Sequence, residues 1–121
     1  MIRNRFIAIA VILLVLAFIG CSTKPKEKLG IELVQEVEYQ CSDESIVNVR
    51  FYKLSDDSLG FVKLKVTDKK EFTLPQVIAA SGVRYSDEYS IQFWTKGNTM
   101  TLYEMNSNRE WEIVKEGMIK E

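Results

Sequence analysis

The chain has 121 residues, room for one ordinary domain and no more. It contains no histidine, which removes Ser-His-Asp and Cys-His catalysis and most zinc sites. Its 17 acidic and 16 basic residues lack the basic surplus that a nucleic-acid partner demands.

Residues 1–20 read as a leader outside the fold. Arg3 and Arg5 form a basic start, and Phe6 to Ile19 is an uncharged apolar run that fits a secretory segment and is short for a spanning helix. Gly20-Cys21 after Ala17-Phe18-Ile19 resembles a bacterial lipobox, with Phe18 where that motif usually has Leu. The expectation is export with a lipid thioether on Cys21; the alternative is an uncleaved anchor helix, and either one tethers the domain to a membrane. Loss of Arg3 and Arg5 with the leader leaves 14 basic against 17 acidic residues, a net charge of −3 that weakly favours a basic partner. Residues 21–32 read as the lipidated cysteine and a flexible tether, with Pro25, Gly30 and lysines at 24, 26 and 28. Residues 33–121 then form the domain.

Within it, Val37, Tyr39 and Cys41 alternate with Glu36, Glu38 and Gln40, a half-buried first strand. Ser42-Asp43-Glu44-Ser45 is turn chemistry, after which Val47, Val49 and Phe51 share one face of a second strand. A turn at Ser55 to Gly60 leads into Val62, Leu64 and Val66, alternating with Lys63 and Lys65. Thr67 to Lys70 turns the chain into Phe72 and Leu74, and Pro75 is expected to end regular pairing. Gln76 to Ala80 reads as a connection, Val83 to Tyr85 as a fifth strand, and Asp87-Glu88 as a turn into Ile91–Thr95. Gly97-Asn98 is a hairpin signal with Lys96 at its tip, and Met100 to Met105 makes the seventh strand. Asn106-Ser107-Asn108 turns into Trp111, Ile113 and Val114, the eighth. Tyr85, Tyr89, Phe93 and Trp94 read as core and cross-strand pairs. The paired acids Asp43-Glu44, Asp56-Asp57 and Asp87-Glu88 lack calcium-loop spacing and read as turns, so neither metal nor cofactor is expected. Regularly spaced short strands without a helical period give an all-β fold, a small antiparallel barrel or sandwich of about eight strands.

Ser81-Gly82-x-x-Tyr85, followed by Phe93-Trp94-Thr95-Lys96-Gly97, resembles the signature of the membrane-bound inhibitors of c-type lysozyme. The similarity runs from about Tyr39-Gln40-Cys41 through Leu102. It implies an eight-stranded antiparallel barrel that is not an enzyme. Its partner would be c-type lysozyme, with Ser81 and Lys96 entering the substrate cleft and Tyr85 supporting that surface. Gly82, Thr95 and Gly97 of the matching motifs are counted with the contact surface, and Arg84 reads either as an exposed strand residue or, from its place beside the Ser81 loop, as a rim contact. The resemblance also implies a disulfide from the Tyr-x-Cys strand to a cysteine near the C-terminus. Arg109 to Glu121 contains none, which leaves Cys41 unpaired once Cys21 is lipidated. Ser22 after that cysteine, where inner-membrane lipoproteins carry Asp, implies the outer membrane of a Gram-negative envelope, facing the periplasm.

From spacing alone, a lysine at a hairpin tip is a solvated turn residue and a serine before glycine a local cap. Two rivals therefore stand beside the inhibitor: a small-ligand carrier, which needs an open apolar cavity, and a structural envelope lipoprotein.

Overall fold

The computed structural model describes Gly20 and residues 23–121. The expected leader up to Ile19 and Cys21, the expected lipidation position, lie outside the described residues. Eight strands follow in order: β1 Ile31–Cys41, β2 Ile46–Leu54, β3 Gly60–Val66, β4 Glu71–Val77, β5 Val83–Ser86, β6 Ile91–Lys96, β7 Thr99–Met105 and β8 Trp111–Ile119. Each pairs antiparallel with its neighbour, and β8 returns to β1 to close the barrel. The all-β barrel of eight strands is the one expected. Closure leaves the sheet without a full-length edge.

The alternation places the core. Val47, Val49 and Phe51 of β2, Val62, Leu64 and Val66 of β3, and Met100 and Leu102 of β7 are buried and point inward. Tyr39, Phe51, Tyr85 and Phe93 form an aromatic layer, with Tyr39 and Phe93 edge to face at 6.0 Å and Phe51 and Tyr85 at 5.8 Å. Edge-to-face rings add to what the buried area alone contributes. Cys41 is buried and free, a small apolar filler.

Several expectations are corrected. Pro75 lies inside β4 rather than ending it: pairing with β3 stops at Pro75↔Phe61, but the strand continues and Gln76 pairs with Tyr85 of β5. A residue without N–H sits where the strand changes partner. β1 begins at Ile31, inside the stretch read as tether. β8 runs past Val114 to Ile119, and its end pairs with Tyr39, Gln40 and Cys41. Its inward positions hold Lys115 and Gly117, opposite Leu102 and Met100, and Val114 is an extra residue in the ladder that flips the phase. Gly117 faces Cys41, and a Cβ there would stand 2.7 Å from the Gln40 carbonyl oxygen. Of the four aromatics read as core or cross-strand pairs, Tyr89 is exposed in the β5–β6 turn, and Trp94 lies on the outer wall.

The turns sort the barrel into two ends. The start of β1, the β2–β3 turn, the β4–β5 loop, the β6–β7 hairpin and the end of β8 share one end. The turns after β1, β3, β5 and β7 share the other.

Candidate functional site

At the first of these ends the β4–β5 loop, residues 78–82, lies against the last residues of β6. Gly82 permits it in two ways. Its φ of +64° is left-handed, and a Cβ would stand 2.6 Å from the Thr95 carbonyl oxygen and 2.9 Å from Trp94 Nε1. Only glycine combines that conformation with so close an approach. Both ends of the loop are then held by side chains. Trp94 Nε1 donates to the Ser81 carbonyl at 2.8 Å. Arg84 donates to the Ile78 carbonyl from Nε at 3.2 Å and Nη2 at 2.9 Å, and from Nη1 to Gln92 Oε1 at 2.8 Å.

The β6–β7 hairpin is braced as firmly. Lys96 pairs with Thr99 across Gly97-Asn98, and Gly97 at φ +58° takes the first loop position of a primed turn. Thr99 Oγ1 donates to the Lys96 carbonyl at 2.8 Å, and Ile119 N donates to the Asn98 carbonyl at 2.9 Å. From inside the barrel, the Tyr39 hydroxyl and Thr95 Oγ1 share a hydrogen bond at 3.1 Å. Burial raises the Tyr39 and Tyr85 hydroxyls above their ordinary pKa, so both stay neutral under the hairpin.

The two braced loops bring Lys96 Nζ to 3.5 Å from Ser81 Oγ, the ammonium donating over a long contact. Among the described residues Lys96 has no carboxylate partner, whereas Lys53, Lys63 and Lys115 are each in ion pairs. Beside this pair a groove of about 240 Å³ is lined by Ser81, Trp94, Lys96, Thr99, Thr101 and Tyr103. The structure thus offers a cation and a hydroxyl side by side on a prominence whose backbone is fixed.

The other expected site residues are distributed around them. Gly82 and Gly97 shape the loops, Thr95 and Tyr85 face inward, and Arg84 lies on the outer wall with its guanidinium engaged by Ile78, Gln92 and Glu88. Sequence reasoning missed Trp94 as the anchor of the Ser81 loop. Its outward phase in β6 is the available signal, because an indole N–H off the core seeks a local acceptor.

The ammonium and the hydroxyl thus lie together on hydrogen-bonded loops at one end of a closed barrel, the kind of place where binding residues are disproportionately carried. The chain belongs to the family described as membrane-bound lysozyme-inhibitor of c-type lysozyme, whose model matches residues 39–111. It is 40% identical over 86 residues to the protein named membrane-bound lysozyme inhibitor of C-type lysozyme from Yersinia enterocolitica serotype O:8 / biotype 1B. That alignment covers 70% of this chain and 62% of the relative, so the chain spans under two thirds of the protein it matches. The barrel is also similar to the crystal structure of Pseudomonas aeruginosa MliC in complex with hen egg white lysozyme, with a TM-score of 0.57 and 21% identity. The similarity covers 82% of this chain and 91% of that one. At this identity the likeness speaks for the fold.

Proposed function

We propose that the chain is a lipid-anchored inhibitor of c-type lysozyme and that Lys96 and Ser81 enter the enzyme's substrate cleft. The observation carrying this reading is the juxtaposition of the Lys96 ammonium and the Ser81 hydroxyl on one braced prominence. Retaining glycosidases such as lysozyme work with two carboxyl groups roughly 5 Å apart, one ionised and one protonated. An ammonium suits the ionised carboxylate, and a hydroxyl can bond either form. In a desolvated cleft each such charge-assisted bond contributes about 1.5–3 kcal/mol. The inhibitor needs no chemistry of its own, because occupying the cleft excludes the substrate. Direct contact is assigned to Ser81 and Lys96; Gly82, Thr95 and Gly97 set the two backbones, Arg84 positions the loop through Ile78, and Tyr85 supports the hairpin from the core. The names of the relatives and the family agree with this partner.

The anchor is the lipid on Cys21, and the envelope position is the outer membrane facing the periplasm. The carrier reading has one observation in its favour, a cup of about 410 Å³ at the barrel mouth floored by Tyr39, Phe51 and Tyr85. That size suits a small ligand. Its walls, however, carry Gln35, Lys53, Gln76 and Thr95, and the interior below is filled by buried side chains. The cup gives no reason for the braced lysine.

The test is a titration of residues 22–121 into a c-type lysozyme turnover assay on peptidoglycan. The parent is expected to inhibit, and Lys96→Ala to weaken inhibition about tenfold or more, the equivalent of at least ~1.4 kcal/mol. A parent without effect would overturn the function, and an equally potent Lys96→Ala would overturn the site.

A further inference from the structure

The outer wall of β1–β4 changes character along its length. Toward the end remote from the tether it carries Glu36, Glu38, Asn48, Arg50, Lys63 and Glu71, with Arg50 and Lys63 both paired to Glu71. Toward the end where the tether enters, one register row runs Leu33↔Tyr52↔Phe61↔Pro75 across all four strands, with Ile31↔Leu54 beside it. Phe51, Val62 and Leu74 point inward and are buried, so this row faces out. Tyr52 and Phe61 stack at 5.2 Å, giving the row a flat centre. Ile31 is 66% exposed, and Leu29 and Leu33 are 55% exposed each. Single exposed apolar residues need no explanation, but a contiguous apolar row over four strands does.

What covers it follows from where the chain goes next. Lys24, Lys26 and Lys28 precede Leu29 directly, and Cys21 is ten residues before Ile31, a span of at most about 35 Å when fully extended. The membrane surface is therefore held beside this row at high effective concentration. Basic residues followed by exposed apolar ones suit the boundary between headgroups and acyl chains. Of the acids near this end, Glu32 and Asp57 both pair with Lys53, at 3.5 and 2.7 Å, while Asp56 accepts only from Ser58, so Asp56 and Glu27 stand against the three tether lysines.

We propose that this apolar row is a membrane-docking face. The barrel lies with the β1–β4 wall on the bilayer that anchors it. In a closed ring of eight strands, β6–β7 stands opposite β2–β3, so the groove beside Lys96 and Ser81 points away from the lipid. A soluble enzyme approaching through the aqueous phase then meets the prominence first. The proposal rests on the anchor at Cys21 argued above.

The experiment uses the full chain reconstituted in vesicles of phosphatidylethanolamine and phosphatidylglycerol, with Leu33→Cys on the row or Thr101→Cys on the opposite wall as maleimide-reactive probes. Leu33→Cys is expected to react at least tenfold more slowly in intact vesicles than after trypsin cuts the lysine-rich tether. Thr101→Cys should react at one rate in both. Replacing Leu29 and Ile31 with Ser should restore the Leu33→Cys rate on vesicles. Equal rates for the two probes in a chain that sediments with vesicles would overturn the docking and leave the anchor standing. Protection of Leu33→Cys that rises with protein density would assign the row to a second copy and likewise overturn it. A chain recovered in the supernatant would overturn the anchor, and the docking with it.

Discussion

Gly82 and Gly97 both have left-handed backbones, with φ of +64° and +58°, yet their surroundings differ. A Cβ on Gly97 meets nothing within 4 Å, whereas one on Gly82 stands 2.6 Å from the Thr95 carbonyl oxygen, 2.9 Å from Trp94 Nε1 and 3.2 Å from Lys96 Cβ. Gly97→Ala therefore costs conformational strain alone, about 1–2 kcal/mol. Gly82→Ala carries the same strain and also pushes the loop off β6, displacing the Trp94–Ser81 hydrogen bond, worth a further ~0.5–1.5 kcal/mol. The carbonyl of a paired strand cannot retreat, so the loop is what moves, and Ser81 moves with it. Denaturant unfolding of both variants should show Gly82→Ala as the less stable by about 1 kcal/mol. In the lysozyme turnover assay Gly82→Ala should lose tenfold or more in potency, while Gly97→Ala stays within about threefold. Equal losses in both assays would refute the claim that close approach of the loop to β6 sets the position of Ser81.

Hydrogen bonds from Lys115 and then from Ser45 hold the Asp43 carboxyl far below its ordinary range. A depressed carboxylate stabilises the fold above its unfolded pKa and loses that contribution as pH falls toward the folded value. Thermal unfolding followed from about pH 5 to 2 should accordingly fall less steeply for Asp43→Asn than for the parent. Arg109 occupies φ +62° in the β7–β8 turn without the freedom of glycine, so Arg109→Gly should stabilise by up to about 1 kcal/mol in denaturant unfolding. Gly117→Ala should destabilise by about 2 kcal/mol or more, because its Cβ would meet the Gln40 carbonyl at 2.7 Å, where three residue pairs alone close β8 onto β1.

The barrel was legible wherever one face of a strand is uniformly apolar. Val47-x-Val49-x-Phe51 and Val62-x-Leu64-x-Val66 announce both the strand and the side that faces inward, and the burial follows them. β8 was half lost for a physical reason. Closing the ring brings its backbone against Gln40, which demands Gly117, and Lys115 reaches from an inward position to Asp43 in the β1–β2 turn. Neither reads as a core residue, and the bulge at Val114 breaks the alternation that could have revealed the strand. Pro75 misled because a missing N–H predicts the end of pairing, whereas here it marks an exchange of partner. In the site, the two glycines and the hairpin were readable from turn chemistry. The pairing of Ser81 with Lys96 came from resemblance alone, since residues fifteen apart on different loops carry no local signal. The hydrogen bonds of Trp94 and Arg84 that make the pairing possible depend on tertiary contact.

The central claim, that Lys96 and Ser81 act as one unit in a lysozyme cleft, is tested most directly by a double-mutant cycle. Inhibition constants would be measured for the parent, Ser81→Ala, Lys96→Ala and the double variant against one c-type lysozyme. If the two groups share one site, each single change weakens inhibition and the double change costs less than the two combined, with a coupling of about 0.5 kcal/mol or more. Two single variants as potent as the parent, or losses that simply add, would contradict it.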